Sequence, residues 1–238
     1  MTLSIPENLE KVRQLISLYQ EKYARNDTPV QLIAVSKTHD AEAVKTAFQA
    51  GQMHFGENYL QEALEKIETL KALPLVWHFI GPIQSNKTRA IAESFHWVQS
   101  VDRLKIARRL NDQRPEKLPP LNILLQVNIN EEDSKAGVTL DALETLASEV
   151  NALPRLKLSG LMAIPTATND SAEQRQNFHS LKIARDKLLL SGFTQCTHLS
   201  MGMSNDFEAA IAEGASMIRI GTDIFGPRVQ GVQGTLAT

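Results

Sequence analysis

The sequence predicts an α/β fold in which eight parallel strands and their helices close into a (β/α)8 barrel, one domain over residues 1–238. Three observations carry this expectation. Eight short, β-rich apolar runs alternate with helical patterns, and the chain length divided by eight gives about 30 residues per unit, the size of one strand–helix repeat. Several runs are almost continuous in apolar residues, as strands covered on both faces require. No linker or low-complexity segment interrupts the series, and the one Pro-rich stretch, NDQRPEKLPP at 111–120, is the size of a loop. The same alternation fits a doubly wound open sheet. The number eight and the full use of the chain favour closure.

The elements follow in order. A first helix from Glu7 to about Tyr23 sets Leu9, Val12, Leu15, Ile16 and Tyr19 on one face. It precedes any strand and is expected to cover one end of the sheet. The strand candidates are QLIAVS at 31–36, HFG at 54–56, VWHFIG at 76–81, FHWVQ at 95–99, ILLQVNI at 123–129, KLSGLMAI at 157–164, HLSM at 198–201 and SMIRIG at 216–221. Asp40 can cap the helix AEAVKTAFQA, which stops at Gly51. Ser171 with Gln174, and Asn205 with Glu208, fit capping boxes for helices that end near Gly192 and Gly214.

Composition excludes several classes. With 42% hydrophobic and 22% charged residues the chain can build a core and stay soluble. A net charge of −2 gives no electrostatic case for nucleic acid or an anionic membrane. The single Cys196 cannot form an internal disulfide, which points to a reducing, cytoplasmic setting. The start, MTLSIPENLEKVRQ, has no apolar signal core. No apolar run approaches the ~20 residues needed to span a bilayer.

In such barrels the chemistry sits at the C-terminal ends of the strands, with phosphate often bound after the seventh and eighth. The seventh run is followed by SMGMSN (200–205) and the eighth by GTDIFG (221–226). Backbone N–H groups and hydroxyls there suit a phosphate dianion. Either loop alone reads as an ordinary turn; the pair on these two strands reads as a phosphate site. Arg219 lies between Ile218 and Ile220. If it faces the interior it needs a partner, either an internal salt bridge or a ligand acceptor. Lys37 ends LIAVSK. Alone it is an ordinary solvated lysine; facing a partly desolvated barrel mouth, its amine would be a nucleophile for carbonyls.

Two segments mimic other chemistry. GPIQSNKT at 81–88 nearly matches a nucleotide-binding P-loop, but Asn86 replaces the second glycine. The acidic loop at 131–133 lacks calcium-binding spacing and reads as solvated. The six histidines show no metal-binding pattern, so no metal is expected.

Taken together, LIAVSK, HFGENY, WHFIGPIQSNK, LSGLMAIP, HLSMGMSNDFEAAI and RIGTDIFGPR resemble the YggS/PROSC family of pyridoxal phosphate homeostasis proteins, in order and at family spacing over nearly the whole chain. The resemblance implies a TIM-type barrel like the N-terminal domain of alanine racemase, fold type III among pyridoxal phosphate proteins, without the C-terminal β domain. It makes Lys37 the lysine that forms a Schiff base with pyridoxal 5′-phosphate. Ser200, Gly221 and Thr222, with amides around Met203, would hold the phosphate, and Arg219 would face the pyridine nitrogen. Asn58 and His78 would line the cofactor side, and Lys135, in DSKAG, would be a secondary pyridoxal phosphate contact.

An arginine at the ring nitrogen donates to an unprotonated nitrogen and weakens carbanion stabilisation. Racemases of this fold add a catalytic tyrosine from a further domain. Here Tyr19, Tyr23 and Tyr59 are the only tyrosines. The expected function is therefore that of a non-catalytic carrier and regulator of pyridoxal phosphate supply, with apo-enzymes that need the cofactor as partners and a monomeric state. The alternatives are an amino-acid racemase using water, His78 or another residue as second base, and a phosphate-binding isomerase with no Schiff base.

Overall fold

The computed structural model describes residues 3–26, 28–130, 132 and 135–227. The predicted barrel is present. The strands β1 (Gln31–Val35), β2 (His54–Glu57), β3 (Val76–Phe79), β4 (Trp97–Val101), β5 (Leu121–Gln126), β6 (Leu156–Met162), β7 (His198–Ser200) and β8 (Met217–Ile220) pair in sequence order, and β8 closes on β1. All eight pairings are parallel.

Around the strands run α1 (Ile5–Lys22), α2 (Ala41–Gln49), α3 (Leu60–Thr69), α4 (Thr88–Ser94), α5 (Leu104–Gln113), α6 (Leu143–Asn151), α7 (Ser171–Leu190), α8 (Phe207–Ala212) and the single turn α9 (Thr222–Phe225). Strand side chains alternate between two cores. A large apolar cluster fills the space between strands and helices. A small one, Ile33, Leu124, Met162 and Met217 with Trp97 against it, sits inside the barrel. Because Ile33 pairs in register with Arg219, the alternation Met217–Arg219 places the arginine inside as well.

The first helix departs from expectation. A closed barrel has no open edge to cover, and α1 instead joins the outer ring against α9, α8 and α2. Its apolar stripe of Leu9, Val12 and Ile16 is buried there, beside the single turn of α9, the last helix among the described residues. Asp40 caps α2 as predicted, accepting from the Ala43 amide at 2.8 Å. The other two caps shift by one residue. Asp170 caps α7, accepting from the Ala172 and Glu173 amides, and Asp206 occupies the N-cap of α8. The stops at Gly51, Gly192 and Gly214 hold, each with positive φ. Among the described residues no helix is long and apolar enough to cross a membrane.

Candidate functional site

A cavity of about 530 Å3 opens at the C-terminal ends of the strands, lined by Val35, Lys37, Asn58, Ile80, the Ile164–Asn169 region, Met203 to Asp206, Arg219, Gly221 and Thr222. Its size suits a small molecule. A second cavity, about 420 Å3, lies at the opposite end beside Arg13, Gln52 and His54, away from the face that carries chemistry in this fold.

Lys37 reaches the cavity because it continues the inward phase of Ile33 and Val35. It is half-buried, and both its neighbours are anchored from behind. Ser36 is fully buried; its hydroxyl donates to Glu57 Oε1 at 2.6 Å and its carbonyl accepts from Lys66 Nζ at 2.7 Å. Lys66 Nζ also donates to Glu57 Oε1 at 2.7 Å and pairs with Glu62. The Thr38 amide donates to Glu62 Oε1 at 2.7 Å. Thr38 holds φ at +67°, a left-handed conformation that is unusual for a β-branched residue and costs of order 1–3 kcal/mol. Burial pushes the Glu57 carboxyl above its ordinary range despite Lys66 and Ser36.

Arg219 forms the floor. It is 4% exposed, and its Nη1 and Nη2 donate to Ser200 Oγ at 2.7 Å and to the Ala163 carbonyl at 3.0 Å. Burial pulls its pKa down to about 10, against the attraction of Asp206, so it is a cation at neutral pH. Two sequence-predicted residues lie deeper than expected. The Ser200 hydroxyl is not in the cavity wall: it accepts from Arg219 and donates to Gln99 Oε1 at 2.7 Å. His78 is fully buried in the barrel interior, its Nδ1 against Gln99 Nε2 and its Nε2 against His54 Nδ1, both at 2.9 Å. Neither residue lines the cavity. Strand alternation points both inward, beneath the mouth.

The two loops after β7 and β8 do converge on the cavity, bringing Met203, Gly221 and Thr222 together. The Met203 amide, however, is engaged by Asp206 Oδ1 at 2.6 Å. Asp206 was not anticipated at the site, and burial raises its carboxyl above the ordinary range, against the Met203 amide and Arg219. Gly221 caps α9, whose first amides lack intrahelical partners, as at any helix start.

Asn58 lines the wall, and its Oδ1 is buried with no hydrogen-bond partner. Its backbone is held by Gly81, where an added Cβ would lie 2.3 Å from the Asn58 carbonyl oxygen. Lys135 stands outside the wall. It donates to Thr166 Oγ1 at 2.9 Å and pairs with Glu132 at 3.7 Å, which places it behind Pro165 and Ala167 of the rim.

The P-loop mimic is structural. Thr88 Oγ1 hydrogen-bonds the Ser85 carbonyl and Gln113, tying the turn to α5. Glu131 and Asp133 of the acidic loop, and Arg228 of the last motif, lie outside the described residues. Among the described residues no cluster of three metal ligands occurs.

Residues 8–229 match the family described as alanine racemase, N-terminal domain. The chain belongs to that family. Within it, 54% identity over 228 residues, 96% of this chain and 97% of the other, relates it to the pyridoxal phosphate homeostasis protein of Pseudomonas aeruginosa. The protein of the same name from Escherichia coli K12 is 49% identical over 227 residues, 94% of this chain and 97% of that one. PipY of Synechococcus elongatus, solved with pyridoxal phosphate bound, is 37% identical with a TM-score of 0.82, covering 94% of this chain and all of that one.

Proposed function

We propose that this chain binds pyridoxal 5′-phosphate in the cavity at the C-terminal ends of its strands and serves pyridoxal phosphate homeostasis as a carrier and regulator of supply, not as an enzyme. The observation that carries the reading is the convergence of one amine, Lys37, one buried guanidinium, Arg219, and two loop ends, Met203–Asp206 and Gly221–Thr222, on one cavity. The names of relatives at 54% and 49% identity, and PipY with the cofactor bound, support it.

The residues present fit the group. When bound, the cofactor supplies an aldehyde that condenses with a primary amine and releases one water. Lys37 Nζ is the amine for it. Arg219 can only donate, so it selects an acceptor and leaves a ring nitrogen unprotonated. Gly221 and Thr222 suit the phosphate. The unpartnered Asn58 Oδ1 in the wall suits a donor hydroxyl on the ligand.

Support for a non-catalytic role comes from the wall itself. No tyrosine lines it among the described residues. Tyr23 is bonded to Glu208 and Tyr19 packs on Phe207. His78, considered above as a second base, has both ring nitrogens engaged below the cavity. A single barrel over 1–238, a monomeric cytoplasmic state and apo-enzyme recipients complete the proposal. The buried free thiol of Cys196 agrees with a reducing compartment.

The test is an absorbance titration with pyridoxal phosphate, then borohydride reduction and peptide mass analysis. The expected result is a pyridoxyl adduct on Lys37, lost in Lys37→Ala. An adduct elsewhere, or an unchanged spectrum in the variant, overturns the lysine assignment. Incubation with amino acids in deuterated water separates carrier from racemase: α-proton exchange at enzyme-like turnover overturns the carrier reading. Direct transfer is read by activation of an apo-enzyme while free cofactor is scavenged.

A further inference from the structure

Barrel interiors of this class are ordinarily filled by branched aliphatic side chains. Here five polar side chains thread through the aliphatic layer. Arg219 Nη1 meets Ser200 Oγ at 2.7 Å, Ser200 Oγ meets Gln99 Oε1 at 2.7 Å, Gln99 Nε2 meets His78 Nδ1 at 2.9 Å, and His78 Nε2 meets His54 Nδ1 at 2.9 Å. Ser200, Gln99 and His78 are all fully buried. The series crosses the barrel from the cavity floor at Arg219 to the opposite end, where His54 borders the second cavity.

The direction of every bond follows from its first member. A guanidinium has donors and no acceptor, so the Ser200 oxygen accepts from it. The one Ser200 proton then goes to Gln99, which presents its carbonyl on that side and its NH2 to His78. His78 Nδ1 therefore carries no proton, Nε2 carries one, and His54 Nδ1 accepts it. A side-chain amide accepts at one end and donates in a fixed plane at the other, and a neutral histidine tautomer passes the order on in the same way. A buried network satisfied at every member holds one geometry. Burial, helped by the neighbouring histidines, keeps the His78 and His54 rings below the usual histidine range and so neutral.

We propose that Gln99, itself fixed by His78 and His54, is the positioning residue that orients the Arg219 guanidinium toward the ring nitrogen of pyridoxal phosphate. The inference rests on the cavity being the pyridoxal phosphate site. Without the Gln99 carbonyl the Ser200 hydroxyl is free to rotate, and Arg219 keeps only the Ala163 carbonyl as a fixed partner among the contacts above.

Two variants and a control test this. Gln99→Met keeps volume and removes both polar ends. Gln99→Glu keeps the acceptor for Ser200 and replaces the donor toward His78 by a second acceptor. Met162→Leu changes the same interior layer beside Ser200 and removes none of the hydrogen bonds of the series. The readouts are absorbance titration with pyridoxal phosphate, thermal melting, and nitrogen-15 NMR of the histidine rings in cofactor-free protein.

Wild-type protein is expected to show His78 and His54 protonated on Nε2 alone. Gln99→Glu is expected to protonate His78 Nδ1 while binding within about threefold of wild type. Gln99→Met is expected to bind tenfold or more weakly and to shift the absorbance of the bound cofactor, with Met162→Leu unchanged. A His78 ring protonated on Nδ1 in wild type overturns the proposal, as does a folded Gln99→Met that binds within twofold. If Gln99→Met does not fold, an unchanged His78 ring in Gln99→Glu is the overturning result. Wild-type protein that takes up no cofactor overturns the functional reading, and the ring tautomers then still report whether the series has the stated order.

Discussion

Replacing Lys66 by methionine removes the support behind Lys37. Lys66 is 4% exposed and Glu57 is fully buried, with Oε2 already unpartnered. Methionine occupies much of the lysine stem but leaves the Glu57 carboxylate with only the Ser36 hydroxyl at 2.6 Å. Removing one partner of a buried ion pair costs about 3–5 kcal/mol. At about 2–4 °C per kcal/mol for a chain of this size, melting falls by about 6–20 °C. The effect depends on pH. The folded Glu57 carboxyl titrates above its unfolded value, so it stabilises the fold relatively more below the unfolded value and less as pH rises through the folded one. Without Lys66 the folded value climbs further, so the deficit of the variant grows with rising pH. Calorimetry at about pH 5 and about pH 8 reads both the size and its pH dependence. A drop smaller than about 3 °C, or one equal at the two pH values, refutes the reasoning. Adding Glu57→Gln removes the stranded charge and is expected to restore most of the loss.

Gly81→Ala brings a methyl to 2.3 Å from the Asn58 carbonyl oxygen. Displacement of the cavity wall is expected to weaken pyridoxal phosphate binding severalfold by titration and to lower the melting temperature. Cys196 is fully buried and burial pushes its thiol up to about 12; a disulfide reagent is expected to label it only on unfolding, at neutral pH, as read by absorbance. Asp40→Ala deletes the bond to the Ala43 amide and is expected to cost about 1 kcal/mol in chemical denaturation, with cofactor binding unchanged.

The barrel was legible because its signals repeat: eight apolar runs of similar spacing, and residues placed at strand ends where this fold concentrates function. Lys37, Arg219 and the loops at 203–206 and 221–222 line one cavity at that end. The family resemblance assigns Ser200 to the phosphate, and β7, with three residues, is too short for its own alternation to show which face is inward. Its inward direction follows instead from pairing with Met162 and Met217, whose side chains line the interior. His78 is assigned to the cofactor side by the family motif that carries it, and its register with Trp97 places it inside the barrel instead. The caps of α7 and α8 slipped by one residue because two adjacent side chains could each accept the helix amides, and only the chain path decides between Asp170 and Ser171. The Lys66 network left no local signal beyond its spacing from Glu62, since Glu57 comes from β2 and the Ser36 carbonyl from the residue that follows β1.

A protein that holds a reactive aldehyde and later gives it up needs selectivity at one depth and exchange at another, and the two cationic side chains of the cavity are separated in that way. Arg219 is level with Ile33 in the sheet register, and Lys37 lies four residues further along, about 13 Å at the usual rise of a strand. The guanidinium therefore forms a rigid floor, fixed by buried partners and closed to solvent. Lys37 stands at the half-buried rim, where, in the proposed role, an incoming amine can compete with it for the aldehyde. The Thr38 backbone, φ +67°, and the anchored Ser36 fix the chain on either side of Lys37. In the proposed carrier role, a half-buried lysine at the rim leaves a competing amine a path to the aldehyde, while the buried arginine keeps the selectivity at depth.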